Sequence, residues 1–222
     1  MNKKTNLLNS SVGRKFLMGA TGLFLCSFLV IHLSGNLLLF KNDGGIAFDA
    51  YSEFMATNLL IRTIEIGLFA GFLAHIIFGA WLWLDNRRAR PQRYEINKAS
   101  DSSTLASRTT FLTGSIVFIF LVVHLNTFFV PTRILGIELS MYDLVVEAFK
   151  NPVYDAFYVI AIALLGYHLR HGFQSAFQTF GIRGQKYLML VNIVALIFWL
   201  IIPIGYISMP LYFLWAHLSG VN

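Results

Sequence analysis

The sequence predicts an all-α integral membrane protein with five transmembrane helices, formed by a single domain over residues 1–222. Two observations predict this class. Apolar residues make up 56% of the chain and charged residues only 13%, which is too apolar for a soluble domain of this length. The apolar residues also form five runs, each with about the 20 residues that a helix needs to cross a bilayer. The runs are approximately 16–40, 61–84, 110–130, 153–173 and 187–207.

The first run is longer than a signal-peptide core and is followed by further runs, so we interpret it as a membrane span. After it, the segment KNDGGIAFDAYSEFMATNLLIRT (41–63) is long enough to form a partial cap over the outer end of the bundle. Before the fourth span, MYDLVVEAFKNP (141–152) predicts a short amphipathic helix lying on the outer surface. The fifth run extends towards Trp215.

Positive charge is concentrated on one side of the predicted membrane. The N-terminus, the 85–108 loop and the 170–186 turn hold 13 of the 17 cationic residues. The positive-inside rule therefore places the N-terminus in the cytoplasm and the C-terminus outside, in a bacterial-type inner (cytoplasmic) membrane. The net charge of +6 thus reflects topology and does not indicate a nucleic-acid partner. The 13 residues are Lys3, Lys4, Arg14, Lys15, Arg87, Arg88, Arg90, Arg93, Lys98, Arg108, Arg170, Arg183 and Lys186.

Four of the six histidines lie inside four different spans. His32 and His124 come late in outward-running spans, so we expect both near the outer face. His75 and His168 come late in inward-running spans, so we expect both near the cytoplasmic face. Neutral imidazole is a strong axial ligand of haem iron, and two facing imidazoles can hold one porphyrin. The sequence therefore predicts two stacked haems, with the outer pair of histidines on one and the inner pair on the other.

An internal repeat supports this pairing. The outer histidines are 92 residues apart and the inner ones 93, so the chain looks like two related hairpins followed by a fifth helix. Thr21 precedes His32 by 11 residues, as Thr113 precedes His124. Eleven residues are close to three helical turns, so each threonine shares a face with its histidine, about 16 Å along the axis. This displacement brings both Thr-Gly pairs near the predicted inner haem.

Glycines recur one turn after the inner histidines. Gly79 follows His75 by four residues, and Gly172 follows His168 by four. A missing side chain on the same face leaves room for a flat macrocycle. Close packing between helices through small residues is the alternative explanation.

Other metal chemistry fits the pattern less well. Zinc prefers a full set of protein ligands converging at one depth. The single cysteine, Cys26, cannot hold an iron–sulfur cluster, and no dinucleotide-binding or P-loop motif is present. A proton relay would use carboxylates at the membrane centre, and Glu65 is the only carboxylate predicted near a span interior.

The two remaining histidines are weaker candidates. His171, three residues after His168, is an alternative ligand or an interfacial partner of haem propionates beside Arg170. His217 is an ordinary interface residue.

Taken together, four stretches resemble the dihaem cytochrome b subunit of succinate:quinone oxidoreductases (succinate dehydrogenase and quinol:fumarate reductase), of the single-anchor, five-helix type. They are ATGLFLCSFLVIHL, FLAHIIFGAWLWLDNRRARPQRY, TGSIVFIFLVVHLN and YHLRHGFQSAFQTFG, in that family's order and spacing. The resemblance implies that His32 and His124 ligate a distal haem b and that His75 and His168 ligate a proximal one. The spacing and position of eight further residues make them candidates for cofactor binding: Thr21, Gly22, Gly79, Thr113, Gly114, Gly172, Arg170 and His171.

The resemblance also implies partners on the cytoplasmic side, a flavoprotein with FAD and an iron–sulfur subunit. The basic loops would then be a docking surface for them, partners of haem propionates, or both. Electrons would pass from succinate to a quinone near the outer face, and the family type implies menaquinone. Some dihaem fumarate reductases carry a proton-transferring Glu two residues before the fourth-helix ligand. The matching position here is Gly166, which favours succinate oxidation.

No sequence motif marks the quinone site. Polar residues predicted at the outer level are its candidates: Asn36, Glu53, Arg62, Glu65, Asn126 and Arg133. Two other classes of protein stay open on the sequence alone. One is a dihaem anchor of another membrane dehydrogenase, such as a formate dehydrogenase or hydrogenase. The other is a non-redox transporter with structural histidines.

Overall fold

The computed structural model describes residues 10–88, 105–137, 139–182 and 184–220, without the side chains of 105–108. Within these ranges the chain is all-helical and contains no strand, which confirms the all-α part of the prediction. The helices are α1 (Ser11–Asn36), α2 (Ile46–Thr57), α3 (Leu59–Arg88), α4 (Leu105–His124), α5 (Met141–Phe149), α6 (Pro152–Thr179), α7 (Gln185–Leu196) and α8 (Ile202–Ser219). A 3₁₀ turn over Leu37–Phe40 extends α1, and π-helical turns over Leu125–Ile134 and Ile197–Ile201 extend α4 and join α7 to α8.

Five of these helical stretches are long and apolar enough to cross a membrane, as the sequence predicts. The chain is therefore compatible with a multi-pass membrane protein. The fifth stretch runs to Ser219, beyond the predicted end. The five stretches are Ser11–Phe40, Leu59–Arg88, Thr109–Ile134, Pro152–Thr179 and Gln185–Ser219.

The spans form an antiparallel bundle with α6 at its centre. α6 buries eight residues, whereas α3 buries none, so α3 lies at the periphery. The Arg14 guanidinium lies 2.8 Å from the Asp85 carboxylate, which joins the beginning of α1 to the end of α3. We call the end of the bundle where α1 begins the N-terminal end, and the end where α8 finishes the C-terminal end.

Two arginine–tryptophan pairs mark the N-terminal end. The Arg14 guanidinium lies 4.6 Å from the ring centre of Trp81, and that of Arg87 lies 5.3 Å from Trp83. Amphipathic tryptophan rings and cations are typical of membrane–water interfaces. Several of the basic residues counted above lie outside the described residues: Lys3, Lys4, Arg90, Arg93, Lys98, Arg183 and the side chain of Arg108.

The C-terminal end is covered by the two short helices. The segment 41–63 contains α2, a helix that the sequence reasoning did not predict. α5 is the short helix predicted from 141–152, but it does not simply lie on a surface, because Val145 and Phe149 are buried in the core with Phe48 of α2. Asp49 holds the two helices together by accepting hydrogen bonds from Ser140 Oγ (2.7 Å) and the Tyr142 backbone N–H (2.9 Å).

Candidate metal centres

The four intramembrane histidines lie in two facing pairs. The ring centres of His32 on α1 and His124 on α4 are 5.8 Å apart, with their planes at 84°. Those of His75 on α3 and His168 on α6 are 6.4 Å apart, with their planes at 77°. We call these the outer and inner pairs. The structure thus brings together the same residues that the sequence pairs by depth.

The spacing of both pairs fits a metal ion between the rings. A metal about 2 Å from each of two imidazole nitrogens separates the ring centres by roughly 6 Å. Among the described residues, no group of three His, Cys, Asp or Glu side chains forms a metal site. An ion held by either pair therefore needs further ligands from outside the protein. A porphyrin, which supplies its own in-plane nitrogens, fits this two-imidazole arrangement better than a zinc ion does.

The Thr-Gly sequence on α1 forms a seat for the inner histidine of α3. Thr21 Oγ1 lies 3.2 Å from Nδ1 of His75. The same hydroxyl donates to the backbone carbonyls of Leu17 (2.9 Å) and Met18 (3.1 Å). A Cβ atom on Gly22 would lie 3.2 Å from Cε1 of His75, so the missing side chain lets the imidazole approach the helix backbone.

The second Thr-Gly sequence forms the same seat on α4. Thr113, which is buried, places its Oγ1 3.5 Å from Nδ1 of His168. Its hydroxyl donates to the carbonyls of Thr109 and Thr110, both at 3.1 Å. A Cβ atom on Gly114 would lie 3.2 Å from Cε1 of His168. The internal repeat in the sequence is therefore a structural repeat around the inner pair.

The outer histidine of α4 has a different partner. Nδ1 of His124 lies 3.1 Å from the buried phenol oxygen of Tyr158. That oxygen is 2.8 Å from the hydroxyl of Tyr154, which donates to Thr127 Oγ1 at 2.9 Å. Thr127 in turn donates to the Val123 carbonyl at 3.0 Å. A chain of hydroxyl groups thus connects the imidazole of His124 to backbone on the same helix.

Aromatic rings enclose the other outer histidine. The ring of Phe28 stacks on His32 with 5.1 Å between centres and 13° between planes. Tyr206, from α8, lies 5.8 Å from His32, and its hydroxyl donates to the Leu29 carbonyl at 2.8 Å. The fifth span therefore forms a wall of the outer pair. Sequence reasoning missed this wall and the tyrosines of α6, because it considered only the repeated hairpins.

The remaining cofactor-binding candidates are more scattered. A Cβ atom on Gly79 would lie 3.3 Å from Cε of Met18, whereas one on Gly172 would meet nothing within 4 Å. Open space thus exists beside only one of the two glycines. Arg170 is exposed and its guanidinium lies 5.2 Å from the ring centre of Trp199, on the side of α6 that faces the fifth span. The structure therefore does not bring Arg170 to the inner pair, and His171 is half-buried beside it.

Three of the six quinone candidates form one cluster near the C-terminal end. Glu65 accepts from Arg62 Nη1 at 2.6 Å and lies 3.3 Å from Arg133 Nη2. Arg133 Nη1 also donates to the Ala56 carbonyl at 2.9 Å, and Nη2 to that of Met55 at 3.4 Å. Arg133 thus ties the end of α2 to α3.

The other three quinone candidates lie apart from this cluster. The side-chain amide of Asn36 donates to the His32 carbonyl at 2.8 Å, one turn earlier on α1. Glu53 and Asn126 are exposed. Asn36 is therefore linked to the outer pair only through the backbone of its own helix.

Replacing Arg133 with alanine is expected to lower the free energy of unfolding by about 1–3 kcal/mol, because hydrogen bonds to a charged donor are lost. The Arg133 side chain is only 20% exposed, against 43% for Arg62. The matched Arg62→Ala change should therefore cost under about 1 kcal/mol, as exposed ion pairs do. Detergent-denaturation curves of the two variants measure this difference. Equal losses would contradict the assigned role of Arg133.

No protein-family model, curated protein or solved structure matches this chain. The fold and the site by themselves define an all-helical protein with five membrane-length apolar helices and two facing imidazole pairs. Its function is therefore inferred from these residues.

Proposed function

We propose that the chain is the dihaem cytochrome b membrane anchor of a succinate dehydrogenase, that is, a succinate:quinone oxidoreductase. In this role it passes electrons from an iron–sulfur subunit through two b haems to a quinone, menaquinone in this type of complex. The proposal rests on the two facing pairs of histidines. In each pair the distance between the ring centres, 5.8 Å or 6.4 Å, leaves room for a metal ion between the imidazoles. One ligand per helix over four helices disfavours anchors that place two ligands on one helix.

In this proposal each histidine pair would hold one haem iron between two helices. His75 and His168 would hold the proximal iron, nearer the N-terminal end, and His32 and His124 the distal iron, nearer the C-terminal end. A bound haem supplies a one-electron couple whose potential depends on its axial ligands and their hydrogen bonds. The chain contributes the ligands, fixes their ring orientation and excludes water through the surrounding aromatic side chains.

The orientation of the chain in this proposal follows from the charge distribution. The N-terminal end carries Arg14, Lys15, Arg87 and Arg88, so it faces the cytoplasm under the positive-inside rule. The flavoprotein with FAD and the iron–sulfur subunit dock at this end. The quinone binds near the C-terminal end, where Glu65 and Arg133 offer polar groups beside an apolar bundle.

Two haems at different depths of the membrane suit the reduction of menaquinone by succinate, which is thermodynamically unfavourable. Menaquinone has a low potential, so succinate reduces it unfavourably. Electrons that move outward, with protons taken up outside, are driven by the membrane potential at about 2.3 kcal/mol per charge per 100 mV. Two redox centres at two depths provide such a path across the bilayer.

Purification of the native complex through a tag on this chain tests the proposal. We expect a flavin-containing subunit and an iron–sulfur subunit to co-purify, together with succinate–quinone reductase activity. A His75→Ala complex serves as the control, because it should keep succinate oxidation with a soluble dye and lose quinone reduction. Co-purification of a formate- or hydrogen-oxidising subunit would reassign the chain, and the absence of any redox partner would reject the proposal.

A further inference from the structure

We infer that Thr21 and Thr113 are positioning residues that fix the protonation site of the two inner imidazoles, and thereby lower the reduction potential of the inner haem. The inference rests on the proposed function, which places an iron between His75 and His168. Its basis is the direction of the hydrogen bonds in the two Thr-Gly seats.

The hydroxyl of Thr21 has one hydrogen, and that hydrogen is already used. The Leu17 and Met18 carbonyls, at 2.9 and 3.1 Å, can only accept, so the hydroxyl donates to them. Towards Nδ1 of His75, 3.2 Å away, Thr21 Oγ1 can therefore only accept. The hydrogen in that contact must come from the imidazole. Nδ1 of His75 is thus the protonated nitrogen of the neutral ring.

The same reasoning applies to Thr113. Its hydroxyl donates to the carbonyls of Thr109 and Thr110 at 3.1 Å, which leaves an oxygen lone pair for Nδ1 of His168. The contact of 3.5 Å is at the outer limit of a hydrogen bond, so we expect it to be weaker than the 3.2 Å contact of Thr21.

A neutral imidazole protonated at Nδ1 keeps its lone pair on Nε2. That lone pair is the metal ligand. The threonine hydroxyls, together with the Met18 and Thr110 carbonyls that also accept from these two rings, therefore favour the tautomer that binds iron. Gly22 and Gly114 complete the seat, because any side chain there would press on the Cε1 atoms of the two rings. Each seat therefore fixes both the position of a ring and the nitrogen that faces the metal.

The hydrogen bond also changes the electron donation of the ligand. An N–H that donates to an oxygen makes the imidazole more basic, which favours the ferric over the ferrous state. Loss of the bond should therefore raise the reduction potential of the inner haem. The outer pair depends on other groups, since Nδ1 of His124 meets Tyr158. The two haems should thus respond to different substitutions.

Redox titration of the b-type absorbance tests the inference on the intact complex, in wild type and in Thr21→Val, Thr21→Ser, Thr113→Val and Tyr158→Phe variants. Valine keeps the shape of threonine without its hydroxyl, and serine restores the hydroxyl. The inner haem is assigned as the one lost in the His75→Ala variant. Haem content per chain is measured in parallel, so that loss of cofactor is distinguished from a shift of its potential.

We expect Thr21→Val to raise the reduced-to-oxidised ratio of the inner haem about tenfold at a fixed potential, equal to about 59 mV for one electron. Thr113→Val should give a smaller shift in the same direction, and Thr21→Ser should return the ratio to the wild-type value. Tyr158→Phe should shift only the outer haem. Unchanged or lowered inner potentials in both valine variants, or a failure of serine to restore the ratio, would overturn the inference.

If Thr21→Val loses the inner haem and Thr21→Ser binds it, the result supports the role of the Thr21 hydroxyl in positioning His75. If both variants lose the inner haem, that role is rejected. These outcomes differ from failure of the proposed function. That failure would appear in the wild-type protein itself, either as an absence of b-type absorbance or as co-purification of a different redox partner or of none.

Discussion

Replacing either inner histidine, His75 or His168, with alanine is expected to remove one haem and leave the other bound. The inner iron then loses one of its two protein ligands. Among the described residues, neither pair has a third His, Cys, Asp or Glu side chain that could replace the lost ligand. Replacing His32 or His124 should remove the second haem in the same way. Haem content per chain should fall by about half in every single variant, since each pair binds one group. Haem extraction and absorbance spectra of the purified variants measure this loss.

The matched control is His217→Ala. His217 is exposed near the end of α8 and lies in neither pair, so its replacement should leave both haems in place. The pairing itself is tested by the double variants. His75→Ala combined with His168→Ala should still retain one haem, whereas His75→Ala combined with His32→Ala should retain none. The reverse result would contradict the pairing that the sequence and the geometry both give.

Replacing Gly166 with glutamate is expected to lower the free energy of unfolding by about 3–5 kcal/mol, through overpacking and burial of an unpaired charge. Gly166 is buried, and a Cβ atom there would lie 2.7 Å from the Trp199 carbonyl oxygen and 3.1 Å from Cγ of Pro203. Pro203 has no N–H to offer the carbonyl four residues earlier, and the chain forms the π-helical turn Ile197–Ile201 there. The backbone of the fifth span therefore approaches α6 at a position that only glycine fits.

Gly67→Ala is the matched control for this change. Gly67 lies within α3, and a Cβ atom there would meet nothing within 4 Å. Alanine at Gly67 should therefore be neutral or stabilise the helix by up to about 1 kcal/mol. Denaturation curves in mixed detergent measure both variants, with Gly166→Ala as an intermediate step. A Gly166→Glu protein as stable as wild type would show that α6 and the fifth span pack differently.

The five spans and the two histidine pairs could be predicted from the sequence because they depend only on the lengths of apolar runs and on the positions of the histidines within them. A run of apolar residues fixes the length of a span, and the late position of a histidine in its span fixes its depth. The 11 residues between Thr21 and His32 then place Thr21 at the level of the inner pair, where the structure shows it beside His75. None of these steps requires the angle between helices.

The partners of the outer pair could not be predicted in this way. Tyr158 meets His124 because of how α4 and α6 are rotated about their axes, which a spacing pattern does not fix. The internal repeat does not indicate this contact either. Tyr158 lies ten residues before His168, but the equivalent position in the first hairpin, ten residues before His75, is Glu65. A phenol in one hairpin and an ion-paired carboxylate in the other give no shared motif.

The helix α2 escaped prediction for another reason. Its residues form a stable helix through tertiary contacts, such as the bonds that Asp49 makes to α5 and the close approach of Tyr51 to Gly35. Gly45, which precedes the helix, has a left-handed conformation with φ of 89°. A Cβ atom on Gly45 would overlap the ring of Tyr142, so the chain enters α2 at a position that requires glycine.

The central claim is that each imidazole pair binds one b-type haem, and a reduced-minus-oxidised absorbance spectrum of the purified protein tests it most directly. The account predicts a b-type spectrum whose amplitude corresponds to two haems for each chain, with two separable midpoint potentials. A spectrum without b-type absorbance would contradict the account. A single haem per chain in the intact complex would contradict the assignment of one of the two pairs.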